Sequence, residues 1–145
     1  MSGKDTTGEG EWSDFERKAM KERAKELKAA KGRGGKDGEP DVLKTIAALP
    51  QPDFGLAERI HALVKENAPG LTSKLRYGMP TYYKDGKVVC FFQAASKYGT
   101  RYSTIGFEDN AGVDEGSMWP VSFGMTELTE ADQARLAGMI KKAGG

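Results

Sequence analysis

His61 and Cys90 are each the sole residue of their type in a chain of 145, so any nucleophilic or acid–base chemistry is looked for there first. A Cys–His pair needs a thiolate in a partly exposed, electropositive setting. Cys90 stands among Val88, Val89, Phe91 and Phe92, surroundings that raise a thiol pKa and suit a packed structural cysteine. His61 neighbours the apolar stripe of its helix and has no ligand set close to it in sequence, so a surface or boundary histidine is expected. A single cysteine excludes an internal disulfide and any zinc site with two cysteine ligands, and a single histidine excludes His-rich metal sites.

Three other patterns bear on chemistry. The loop from Glu108 to Gly116 holds four carboxylates and an amide, oxygen ligands of the kind that suit magnesium, calcium or weakly held iron. Its spacing matches no calcium-binding helix–loop–helix, and solvated loop acids are the plainer reading. No glycine run passes from a strand into a helix as a phosphate loop requires, and no nucleophile elbow or paired-carboxylate layout is present. A non-enzymatic protein without cofactor or metal ligand is expected.

The elements that must position these residues divide the chain in two. Overall, 22 Lys+Arg balance 21 Asp+Glu for a net charge of +1, which gives no global attraction to nucleic acid or membrane. Residues 1–36, however, carry ten Lys/Arg against seven acids, and the remainder twelve against fourteen. The first ten residues read as a disordered terminus. Ser13 caps an expected basic helix from Asp14 to about Lys31, whose sparse apolar positions (Trp12, Phe15, Ala19, Met20, Ala24, Leu27) suit peripheral packing. Gly32, Gly34, Gly35 and Gly38 then form a flexible linker. The basic helix with its glycine-flanked Arg33 and Lys36 offers a nucleic-acid accessory role, although its interspersed acids suit a solvated helix and make nucleic acid the less favoured partner. No run approaches the ~18 apolar residues of a membrane span, so a soluble, cytoplasmic protein with no membrane contact is expected.

From Asp41 the pattern becomes that of a folded domain, placing a tail at 1–40 and a domain at 41–143. Asp41 caps a short helix with Val42, Leu43, Ile46 and Leu49 at helical spacing, and Asp53 caps the next, whose Leu56, Ile60, Leu63 and Val64 form a buried face. Leu71 to Gly78 reads as one helical turn. Asp85-Gly86 is a two-residue hairpin turn between Thr81-Tyr82-Tyr83 and Val88 to Phe92. That turn pairs Tyr83 with Val88 and Tyr82 with Val89. Alternation then sets Thr81, Tyr83, Val88, Cys90 and Phe92 on a helix-covered face, and Tyr82, Val89, Phe91 and Gln93 on an open one. Further strands are expected at Thr100–Phe107 and Met118–Met125, the latter at an edge or beginning at Pro120. A last helix follows the capping box Thr129-Glu130-Ala131-Asp132. The strands succeed one another without long helices between them. This order defines an α+β fold, an antiparallel β-sheet with helices packed on one face, plus the basic N-terminal helical extension.

The open face gathers Tyr77, Tyr82 and Phe91 with Gln93, joined by Tyr102 and Ser122 if the later strands keep register. An aromatic surface with a few hydroxyl and amide groups suits a small organic ligand or a protein partner. The competing reading is a second minor core beneath the N-terminal helix.

The stretch from Ala68 to Tyr82, with Ala68-Pro69 closing a helix and Tyr77-Gly78-Met79-Pro80 leading into a strand, resembles the signature of the YdhG-like domain family. The Asp85-Gly86-Lys87 turn, the apolar strand after it and the region of Lys97 are similar to it as well. The resemblance spans about Asp41 to Ala143, and the basic helix resembles an extension found on some members. It implies a compact α+β domain with an antiparallel sheet. Most members are of unknown function, and some are described as frataxin-like iron chaperones, which gives intracellular iron delivery as an alternative to ligand binding. No metal ligand carries over to this sequence.

Overall fold

The computed structural model describes residues 37–144, together with Arg17, Lys18, Met20 and Lys21, which are helical. The rest of the expected basic helix, the terminus before it and residues 32–36 of the linker lie outside the described residues.

Helix α1 spans Glu39–Ala47, capped at Gly38, three residues before the expected cap Asp41, because Pro40 occupies its first turn. There the missing proline N–H costs nothing and the fixed φ already suits a helix. Helix α2 spans Asp53–Asn67, with Asp53 as its first residue and Pro52 at the cap. Its buried face takes Leu56, Ala57, Ile60, His61, Leu63 and Val64, so His61 is a core residue, only 7 % exposed. The expectation of a surface or boundary histidine is corrected here: position 61 falls four residues after Ala57 and so shares its side of the helix.

A five-stranded antiparallel sheet follows in simple sequence order, one strand more than expected. The extra strand, β1 at Thr72–Arg76, replaces the helical turn read over Leu71–Gly78. It reverses through Tyr77 (φ 54°) and Gly78 (φ 77°) into β2 at Met79–Lys84. Two consecutive positive φ values make the tight hairpin turn whose twist matches the strands. A tyrosine rarely adopts such a φ, which conceals the hairpin in the sequence. The second turn, Asp85 (φ 51°) and Gly86 (φ 80°), is the one expected, and leads into β3 at Lys87–Gln93.

The β2–β3 pairing departs from simple alternation. Tyr83 stands opposite Val88 as expected, but Tyr82 stands opposite Cys90, leaving Val89 as an extra residue in β3. A β-bulge of this kind shifts the pairing by one, and a shift of one moves side chains to the other face. Tyr82, Cys90 and Phe92 consequently face the helices, while Thr81, Tyr83 and Phe91 face away. The opposite assignment for Tyr82, Thr81 and Tyr83 is thereby corrected. Val89 itself is 0 % exposed and joins the core.

After β3 come a short helix α3 at Ala95–Tyr98, strand β4 at Ser103–Phe107 and a 3₁₀ turn at Asp109–Ala111. Strand β5 covers Ser122–Met125 and helix α4 covers Glu130–Gly144. β5 is shorter than the Met118–Met125 run because Pro120 has no N–H to give a ladder; the pairing with β4 begins where the Val121 carbonyl accepts the Phe107 N–H at 2.7 Å.

The helices cover one face, where Val42, Ile46, Ile60, Val64 and Ile140 meet Tyr82, Phe92 and Ile105 in a single buried cluster. Burial of each such side chain contributes about 1.5–3 kcal/mol. The β1 edge is capped at Ser73: the Gly38 N–H donates to the Ser73 carbonyl at 2.6 Å, and the Ser73 N–H donates to the Asp37 carboxylate at 2.8 Å.

Candidate functional site

The expected site residues separate in space. Tyr82 is 1 % exposed on the helix side of the sheet. Its hydroxyl lies 3.0 Å from His61 Nδ1, and His61 Nε2 lies 2.7 Å from a Glu39 carboxylate oxygen. A carboxylate only accepts, so Nε2 carries the proton and, in the neutral ring, Nδ1 accepts from the Tyr82 O–H. Burial raises the Tyr82 pKa, which keeps that phenol a donor. The His61 hydrogen bond, followed by burial acting the other way and then by Lys65 at 3.2 Å, leaves the Glu39 pKa below its ordinary 4.5. This chain joins α1, α2 and β2. No local pattern announces it, since Glu39, His61 and Tyr82 lie on three different elements.

Cys90 is fully buried, and burial pushes its thiol up to about 12. It is the packed cysteine expected, with no access for a substrate. Glu108 meets Arg76 at 3.6 Å, and Ala111 and Val113 anchor the acidic loop in the core. Among the described residues no group of three or more His, Cys, Asp or Glu side chains comes together to hold a metal ion.

On the sheet face away from the helices stand Phe91, Gln93 and Ser122, with Tyr102 at its border. Gly106 is paired with Phe91 and Gly124 with Thr104, and each glycine lies under an aromatic ring. A Cβ on Gly106 would meet the Phe91 ring, and one on Gly124 would approach Tyr102 Cδ1 to 2.8 Å. The Arg76 guanidinium sits 5.8 Å from the Phe91 ring centre and Lys74 Nζ 4.7 Å from that of Tyr83. Thr81 is 0 % and Tyr83 7 % exposed, so the β2 part of this face is not free. Gln93 is half-buried, whereas Tyr102 and Ser122 are exposed. Tyr77 is exposed in the β1–β2 turn, its carbonyl accepting the Tyr98 hydroxyl at 2.8 Å.

Among the described residues a concave surface lies beside Tyr102, and none of its lining comes from Tyr82. Three cavities of about 250, 270 and 320 Å³ adjoin there, and Thr126 lines all of them. Buried Leu56, Met125 and Leu136 supply an apolar floor, and Arg101, Arg59 and Arg135 each line one cavity.

Two polar arrangements hold its walls. Asp53, 3 % exposed, accepts the Ser96 N–H at 2.8 Å and the Ser103 hydroxyl at 3.2 Å, while Ser103 Oγ accepts the Ala95 N–H at 2.9 Å. These bonds fasten α3 and the start of β4 to the first turn of α2, which places Arg101 and Tyr102. On the other side the expected capping box forms. The Thr129 N–H donates to Asp132 at 3.0 Å and the Asp132 N–H to Thr129 Oγ1 at 3.1 Å, and the Thr129 bonds lower the Asp132 pKa. α4 thereby presents Arg135 over the Phe123 ring at 4.8 Å.

Of the six expected residues, Tyr102 alone lines this groove; Ser122 stands on the neighbouring edge strand, and Tyr82 belongs to the core. The groove residues missed in sequence (Asp53, Thr126, Arg135) carry no local signature beyond the capping box. Comparison with family models, with curated proteins and with solved structures finds no match to this chain. No helix among the described residues is long and apolar enough to cross a membrane.

Proposed function

We propose that this chain is a non-enzymatic binding domain that holds a small organic ligand or a short partner segment in the groove around Thr126, reaching onto the sheet face at Tyr102. The observation that carries this reading is the meeting of three cavities, each near 300 Å³, on one apolar floor with three arginines among the lining residues. Ligand sites have this form, a largely apolar concavity with a few placed polar groups. The residues best suited to catalysis argue for binding rather than turnover, since Cys90 and His61 are buried and held by packing or hydrogen bonds. The likeness of Tyr77-Gly78-Met79-Pro80 to the YdhG-like signature agrees with a compact domain of this type.

A fragment library screened against the ¹⁵N-labelled full-length protein tests the proposal. Amide shifts confined to Thr126, Arg101, Tyr102 and their neighbours are expected, and Thr126→Trp should abolish them by filling the junction. Shifts elsewhere, or binding unchanged by Thr126→Trp, would refute it.

A further inference from the structure

The two edges of the sheet are treated differently. β1 is capped at Ser73, whose outward N–H and carbonyl are bonded by Asp37 and Gly38. At the other edge, the register of β5 with β4 and the Val121–Phe107 bond turn residues 121, 123 and 125 toward β4. Ser122 and Gly124 therefore aim their backbone N–H and C=O outward, and among the described residues nothing bonds them. Such a row of donors and acceptors is a template for an extended chain.

The ground beside this edge is shaped for one. A cavity of about 270 Å³ lies between β5 and α4, with Phe123, Leu128 and Leu136 on its apolar side and Arg135 at its border. Met118 (89 % exposed) and Val121 (50 % exposed) leave apolar surface just before the strand. We infer that the groove's occupant is a short extended peptide segment of a protein partner, added antiparallel to β5. This rests on the groove reading above and adds the identity of the ligand.

The pleat then assigns the peptide's side chains. The residues opposite Ser122 and Gly124 exchange backbone hydrogen bonds with them and project beside Tyr102. The residue between them stands opposite Phe123, on the helix side, and enters the cavity under Arg135. That central side chain must be apolar or aromatic. Pro120 limits the added strand at one end, so recognition is confined to a few residues.

A random heptapeptide library, selected on the full-length protein and resynthesised, supplies the probe. The selected peptides should share an apolar central residue, slow the amide exchange of Ser122 and Gly124, and bind about tenfold more weakly when that residue becomes alanine. Ser122→Pro removes one outward N–H without touching the β4 ladder and should weaken binding to a similar degree. N-methylation of the two peptide residues paired with Ser122 and Gly124 should do the same with the protein unaltered, which keeps the test valid if the proline variant folds poorly. Peptides that bind without protecting Ser122 and Gly124, and that tolerate N-methylation, overturn strand addition while the groove stands. Recovery of no binding peptide, with fragments still shifting Thr126, overturns it equally; loss of both responses removes the groove reading too.

Discussion

The Nδ1 of His61 lies 3.0 Å from the hydroxyl of Tyr82, and both side chains are almost completely buried. The bond pins the middle of α2 to the second strand, and Glu39 at 2.7 Å from the other ring nitrogen extends the tie to the first turn of α1. In this chain Nδ1 accepts the Tyr82 O–H while Nε2–H donates to the Glu39 carboxylate, so each buried polar group has a partner.

Removing one partner leaves the other unpaired in the core, at a cost of about 1–3 kcal/mol. Tyr82→Phe should lower stability by that amount in urea unfolding. His61→Ala in the Tyr82→Phe background should then cost less than in the wild type, because the two share one interaction. Strictly additive losses would show that the bond contributes nothing.

Glu39 has a folded pKa below its ordinary 4.5, so the unfolded chain binds the proton more tightly. Its contribution to stability is complete above the unfolded value and is lost as pH falls through the folded one. The urea midpoint should therefore drop more between pH 6 and pH 3 for the wild type than for Glu39→Gln. Equal slopes for the two proteins would contradict this assignment.

Cys90 has its thiol raised to about 12 by burial, so the folded protein carries negligible thiolate at pH 8. Iodoacetamide should label it only through opening of the fold, with labelling accelerated by urea. Prompt stoichiometric labelling in buffer alone would show that the site opens to solvent.

Asp53 holds α3 to α2 through Ser96 and Ser103. Hydrogen bonds to a charged group are worth roughly 1.5–3 kcal/mol, and Asp53→Asn should cost an amount of this order. The variant should also raise amide exchange across Ala95–Tyr98, which global destabilisation alone would not confine to that segment.

Gly124 lies against the Tyr102 ring, with a Cβ there approaching Cδ1 to 2.8 Å. Gly124→Ala must push the tyrosine aside, and overpacking of this kind costs about 1–3 kcal/mol. Since Tyr102 lines the groove, the same variant should alter fragment binding near Arg101. Tyr102→Ala combined with Gly124→Ala should recover part of the stability.

The helices and the order of strands were legible because their signals are local: apolar spacing in α2, the Asp85-Gly86 turn, and the Thr129–Asp132 box. What escaped was set by backbone conformations that side-chain types do not announce. Tyr77 adopts a positive φ normally left to glycine or asparagine, so β1 and its turn were hidden. Val89 looks like any strand valine, yet as the bulged residue it moves Tyr82 from the open face to the core. The expected ligand face thus lost its central tyrosine to a hydrogen bond with a histidine 21 residues away. The groove at Thr126 is assembled from α2, α3, β5 and α4, and tertiary packing alone brings those stretches together.

The cap on Ser73 of β1 fixes where the protein can be shortened. A truncated chain beginning at residue 37 keeps the Asp37 carboxylate and the Gly38 amide on Ser73, whereas one beginning at Asp41, where the sequence pattern alone draws the boundary, gives up both and Glu39 with them. The shorter fragment would carry a raw strand edge and an unbraced histidine, and should aggregate or refold poorly where the longer one stays monodisperse.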